Sequence, residues 1–387
     1  MQSLDLGREA PLLVISARPF SSLTERFKRS DGWSGADAAW TIPISEKRTS
    51  WFFGDTWIGK IRDNKHVDAT IINNTVALQS LPFASAEKVP KIDFYWRNEM
   101  EGGKEKAASF FPSDSKEKWF WPAAGASVDG RIFLILHRIK KVAAKEPDFG
   151  FAEDGNVLAQ ISNPQDDPLA WKVDYTALPD FEQKVQFGNA CLFDGDYFYC
   201  YCTYRPARAG VNQHPLILAR HGKGSLLQAK TNSWEFLCDL KERGKGWRTL
   251  PESGSGSKVE PVIMFADGAP EMSVSKVPGI PGYVAVYIAA FEPYILLRHA
   301  AHLEGPWSRP VKIYKCPEDR KKLFVYAAKA HPELAKDAGE LVLTYCRNTK
   351  FFADQVNHSD WYAPQAVRVL LRVKMLPARQ LCRVGAT

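Results

Sequence analysis

The sequence predicts an all-β protein built as a five-bladed β-propeller, and three observations carry that expectation. Five times between residues 31 and 345, a run of small or apolar residues is followed by a turn, most often with Gly or Asp, and then by a run rich in aromatic and aliphatic residues. Most of these pairs lead to a third apolar run and an outer, strand-like stretch, giving units of four strands. The last run, residues 367–373, is placed to close a ring by pairing with the first strands, one way of removing an open sheet edge.

Residues 1–30 read as an N-terminal lead-in, with strand potential at 11–15 and one helical turn at 22–27. The first unit has runs at 38–44 and 49–53, joined by the polar connection Ser45-Glu46-Lys47-Arg48, which has hairpin length. The second has runs at 122–128 and 132–136 around Asp129-Gly130, then 157–160 and an outer stretch at 171–173. The third has 188–193 and 197–201 around Asp194-Gly195-Asp196, then 215–220 and 234–237. The fourth runs from Glu271 to Val277, turns through two glycines, returns at 283–287 and continues at 295–298 and 307–313. The fifth takes 328–334 as its inner run and 341–345 as its return. Two segments, 82–118 and 242–268, read as long loops, and loops of that length usually carry function or motion. The propeller is thus expected as one domain over 31–375, with a tail at 376–387.

With 45% hydrophobic and 25% charged residues, the composition is that of an ordinary globular chain. Its 12 Trp, 13 Tyr and 22 Phe suit sheets, and also surfaces that stack flat-faced ligands such as sugars. The net charge of +7 is scattered in small clusters, at 140–141, at Lys241, Arg243, Lys245 and Arg248, and at 320–322. No basic helix or nucleic-acid motif accompanies them. Seven Cys with no CxxC pair argue against a zinc site or a dense disulfide framework. The opening residues carry no export signal, and no stretch is long and apolar enough for a membrane span. No P-loop, Rossmann fingerprint, G-x-S-x-G elbow or HExxH is present.

In a propeller the inner strands enter a common channel, so residues at their heads converge although distant in sequence. That position holds Asp37, a small residue near Gly125, Asn189, Glu271, and His331 or Glu333. Asp55, at the end of the second strand of the first hairpin, is expected on the same rim as Asp37. Two carboxylic acids facing each other across a funnel are what glycoside hydrolysis requires, one as base or nucleophile and one as proton donor. Trp40 and Trp57 lie close by in sequence to stack sugar faces, and Asn73, Asn74 and Arg205 could bind hydroxyls or a carboxylate. Plainer roles stay open for each: Asp37 as a turn anchor, Asp55 as a strand-end cap, His331 as a hydrogen-bonded rim residue, and Trp57, Trp121 and Tyr326 as wedges between blades.

The segments GADAAWTIPI, WFFGDTWIG, IINNTVALQ, FWPAAGASVDGRIFLIL, APEMSVSKVPGIPGYVAVY and AKAHPEL with GELVLTYCRN resemble a bacterial family of five-bladed propellers long catalogued as a domain of unknown function. Some of its relatives are endo-D-arabinanases, and more distantly it is similar to arabinanase, β-xylosidase and fructosidase propellers. The resemblance spans residues 31–375, with the FGDT and PEMSVSK segments its most specific pieces. It implies a glycosidase with Asp37 as base or nucleophile and Glu271 as general acid. A third acid that tunes the second is replaced here by Asn189, a role Asp55 could take. His331 matches a place where some relatives hold a water-bound calcium or contact substrate. The resemblance therefore implies no cofactor beyond a structural calcium in the channel, an oligo- or polysaccharide substrate, and a secreted or periplasmic location; the charge pattern and the lack of a span add the expectation of no nucleic-acid or membrane partner, and the chain is expected to be a monomer. Asn189 also keeps a second class open, a non-catalytic carbohydrate-binding propeller.

Overall fold

The computed structural model describes residues 11–83, 88–143, 150–181, 185–205, 214–239, 245–250, 260–289 and 292–374. The fold is the expected β-propeller, made of five consecutive antiparallel sheets. The first blade pairs Trp40–Ser45, Arg48–Phe53, Thr75–Ser80 and Ile92–Tyr95 from inside to outside. The second pairs Lys118–Val128, Arg131–Lys141, Phe151–Ile161 and Val173–Ala177. The third begins with Val185–Asp194 and Tyr197–Tyr204, continues with Leu216–Gly222 and Glu235–Asp239, and adds a fifth strand, Lys245–Arg248. The fourth is Ser273–Val277, Ile280–Tyr287, Tyr294–Ala300 and Val311–Lys315. The fifth joins Phe324–Ala330, Glu340–Asn348 and Gln365–Val373 to the N-terminal strand Leu12–Pro19.

That last pairing, from Leu12 opposite Val373 to Pro19 opposite Val367, is the ring closure expected of the terminal run. It also makes the lead-in part of the propeller. Why the ring holds is visible in the core. Among the described residues the buried apolar side chains form five clusters, one in each gap between successive blades. Period-2 strands bury both faces in this way because each blade is sandwiched by two neighbours. The gap between blades five and one is filled by Leu334, Val342 and Ala366 against Trp51 and Phe53, with Phe20, Leu23 and Phe27 of the lead-in. Its short helical segments, Ser21–Thr24 and Glu25–Phe27, are the turn the sequence indicated.

Four expectations need correction, the first being that 242–268 is a loop throughout: it holds the fifth strand of blade three, Lys245–Arg248. Segment 82–118 is not one loop: it holds the outer strand of blade one and a hairpin, Arg97–Glu101 with Lys104–Ala108. Its anchor is Asn74, whose side chain reads the backbone of Phe111 and Phe120. The fifth inner strand is Phe324–Ala330 and not 328–334, because Pro332 cannot donate to a ladder and opens a 3-10 turn, Pro332–Leu334. In blade two the outer strand lies at Val173–Ala177, after a 3-10 turn capped by Asp167. Beside the blades sits a three-stranded sheet, Asp31–Ala36, Thr56–Arg62 and Lys65–Ile72, which the repeat pattern does not reveal. Lys241, Arg243, Cys382, the Gly254-Ser255-Gly256-Ser257 stretch and the tail at 376–387 lie outside the described residues.

Candidate active site

The first hairpin delivers Asp37 and Asp55 to one edge. Asp37 N–H donates to Asp55 O at 3.4 Å, and Gly54 N–H donates to Asp37 O at 3.3 Å. Between Asp37 and the strand stand Ala38 and Ala39, with φ of 65° and 57°. Side-chain-bearing residues pay about 1–3 kcal/mol each for such a backbone, and the reward here is the direction in which Asp37 points. Gly54 makes room for it, since a Cβ on Gly54 would lie 2.4 Å from Asp37 Oδ1. Gly54→Ala is therefore expected to push Asp37 aside. The measurement is turnover alongside melting temperature: the protein should stay folded, and activity that depends on Asp37 should fall by about tenfold or more.

Around the two carboxylates the structure gathers donors and further charge. Tyr326 Oη donates to Asp37 Oδ2 at 2.8 Å, and the buried Tyr362 phenol, beside the same carboxyl, donates to the backbone Asp55 O at 3.2 Å. Burial, then the charges of Asp55 and Glu271, raises Asp37 to about 7 against these two phenols. Asp55 accepts from Trp121 Nε1 at 2.8 Å and Asn73 Nδ2 at 3.3 Å, and burial lifts it to about 6. Glu271, just before the inner strand of blade four, accepts from Lys329 Nζ at 2.6 Å. Lys329 is 1% exposed and sits 4.4 Å over the ring of Trp40. The three carboxyls, carried by blades one and four, are close enough that Asp55 and Glu271 both raise Asp37.

On the other side of the Trp40–Lys329 contact the channel opens into a cavity of about 310 Å³ lined by all five inner strands, with Thr41, Ser127, Cys191, Ser275 and Glu333 on its wall. His331 and Glu333 belong to this cavity and not to the heads of the strands, because the fifth inner strand ends before them. His331 is buried and held neutral, pushed down to about 3 by burial and then by Lys329. One ring nitrogen shares a hydrogen with Thr41 Oγ1 and the other with Thr344 Oγ1, each at 2.7 Å. Glu333 accepts from Thr49 Oγ1 at 3.3 Å, and burial raises it.

A structural calcium does not fit this arrangement. Both nitrogens of His331 are committed to hydroxyls, and among the described residues no group of three His, Cys, Asp or Glu is placed to hold a metal ion. Treatment with EDTA is expected to leave the melting temperature within about 1 °C, whereas loss of a bound ion would lower it.

Several sequence candidates turn out to be spent on the fold. Asn74 is fully buried, with its amide on Phe111 and Phe120. Asn189, 1% exposed, donates to Thr203 Oγ1 and Ala269 O at 2.8 Å and accepts from Thr203 N–H at 2.7 Å, so it ties blade three to the segment before blade four. Trp57 is buried in the side sheet between His66 and Phe352, its Nε1 donating to Gln355. Arg205 is locked on Glu153 at 2.6 Å and 2.9 Å. Trp121 and Tyr326 act through hydrogen bonds on the acids, not as wedges.

Lys329 and Tyr362 were not found by reading the sequence. Lys329 carried a signal, being a charged residue in a run otherwise made of small and apolar ones, Ala327-Ala328-Lys329-Ala330. Tyr362 carried none, since it lies in a connection outside the repeat.

No curated protein sequence matches the chain. Among solved structures, a "putative hydrolase" from Bacteroides ovatus aligns over 96% of this chain and 93% of its own, at 17% identity and a TM-score of 0.68. That similarity shows a shared fold. An α-L-arabinanase from Cellvibrio cellulosa aligns over 68% of this chain and 74% of its own, at 15% identity and a TM-score of 0.32. The profile of one family matches residues 21–371. This chain, a β-propeller, belongs to the domain of unknown function family DUF5005.

Proposed function

We propose that the protein is a glycoside hydrolase acting on an oligo- or polysaccharide, with Asp37 and Glu271 as the reacting acids and Asp55 as the charge that tunes Asp37. The observation that carries this reading is the separation of environments at one site. Asp37 and Asp55 are lifted to about 7 and about 6, Asp37 by burial and by its carboxylate neighbours, while Glu271 is met by an ammonium group. Two acids made unequal in this way are the requirement for giving a proton to a departing sugar oxygen while activating water at the anomeric carbon. Asn189, which kept a binding module in view, is fully engaged in structural hydrogen bonds, and Asp55 supports the third-acid role in its place. Furanose-like units, as in arabinans, are the substrate class that the family resemblance favours.

The test is release of reducing ends from a panel of furanose and uronic-acid polysaccharides, with Asp37→Asn as the control. Release that is equal in the native and control proteins, or absent from both across the panel, rejects the proposal.

A further inference from the structure

Two side chains of one inner strand reach the two reacting acids. Tyr326 donates to Asp37, and Lys329, three residues later, donates to Glu271. In a regular strand, residues three apart point to opposite faces. Here the register slips between them, Tyr326 standing opposite Cys346 and Lys329 opposite Thr344, two residues apart on the partner strand. The extra residue is absorbed where Ala327 has φ 57°. A bulge of this kind re-aims a side chain, and here it turns a phenol and an ammonium to the same side.

The ammonium is costly to place there. It is 1% exposed, and its partners are Glu271 Oε2 at 2.6 Å, Ala327 O at 2.9 Å and the Trp40 ring at 4.4 Å. A buried lysine is retained only where its pairing is made good, and a lone anion beside it is what makes it good. The groups facing Glu271 are Lys329, Asp37, Tyr326 and Cys346. Those facing Asp37 include Asp55, Glu271, Tyr326, Tyr362 and Cys346. His331 also faces Lys329.

We propose that Lys329 is a positioning residue that holds Glu271 as the anionic member of the pair, so that Glu271 serves as the base and Asp37 gives the proton. This rests on the glycosidase reading and reverses the roles that the family resemblance implies. In the step, the bond from the anomeric carbon to the leaving oxygen breaks as Asp37 protonates that oxygen. Water bonds to the carbon and passes one proton to Glu271. The pair ends with Asp37 ionised and Glu271 protonated, and solvent resets both.

The decisive variants are Lys329→Met and Lys329→Arg, followed through the pH profile of kcat/KM. Lys329→Met is expected to lose about 10²-fold or more at pH 7. Its acidic limb should move up by about one pH unit or more, because Glu271 then loses the ammonium that stands 2.6 Å from it. Lys329→Arg should keep the limb where it is. A uniform fall in Lys329→Met with no movement of the limb would mean a structural role and overturn the proposal. Substrates whose leaving group needs no proton give a second reading: Asp37→Asn should retain turnover of them and Glu271→Gln should lose it, and the opposite pattern overturns the assignment. A third arm does not depend on turnover. Lys329→Met should lower the melting temperature, and adding Glu271→Gln should restore it. A double variant no more stable than Lys329→Met breaks the proposed pairing, whereas a native protein that hydrolyses nothing defeats only the glycosidase reading.

Discussion

Asp37→Asn and Glu271→Gln are each expected to lower turnover of a responsive glycan by about 10²–10⁴-fold, the range that general acid–base groups supply. The fold should survive both changes. An amide at 37 still offers an oxygen to the Tyr326 phenol, and an amide at 271 still offers one to Lys329. What each variant removes is proton transfer, so kcat should fall more than KM rises. The check is steady-state kinetics beside a melting curve. Unchanged kcat in both variants removes the assignment, and loss of activity that merely tracks unfolding leaves the residues with a structural role.

The second large effect is on stability as a function of pH. Asp37 and Asp55, lifted to about 7 and about 6, hold protons in the folded state that an unfolded carboxyl, near 3.9, has already released. A folded state that binds more protons than the unfolded one loses stability as pH rises. The contribution is therefore complete below about pH 4 and disappears as pH climbs through 6 and 7. His66 and His331 act in the opposite sense, since burial pushes them down to about 4 and about 3 and their cost appears as pH falls below 6.5. The informative quantity is thus the difference between native protein and Asp37→Asn. The variant should melt a few degrees higher at pH 8, with the advantage shrinking to nothing near pH 4. Parallel curves across that range would show that the carboxyl is not held in its protonated form.

Much of the protein was legible without coordinates because the signals involved are local. Alternating strands and short turns settle the hairpins, and the repetition of hairpins settles a propeller. The carboxylates Asp37 and Asp55 could be placed on one edge because a hairpin fixes that geometry within 20 residues. The fifth inner strand ends at Ala330, so His331 and Glu333 lie past its end and not at its head. Pro332 was the available warning.

What the chain alone determined, then, was the sheet architecture and the meeting of Asp37 with Asp55 at one hairpin edge, since both follow from backbone period and strand ends. Tertiary structure decided the rest of the site. Lys329 and Tyr326 meet Glu271 and Asp37 across 58 and 289 positions of sequence, and the bulge at Ala327 selects which way they point. Only closure of the ring brings those groups within hydrogen-bonding reach, and burial there raises Asp37 and Asp55 above the ordinary carboxyl range.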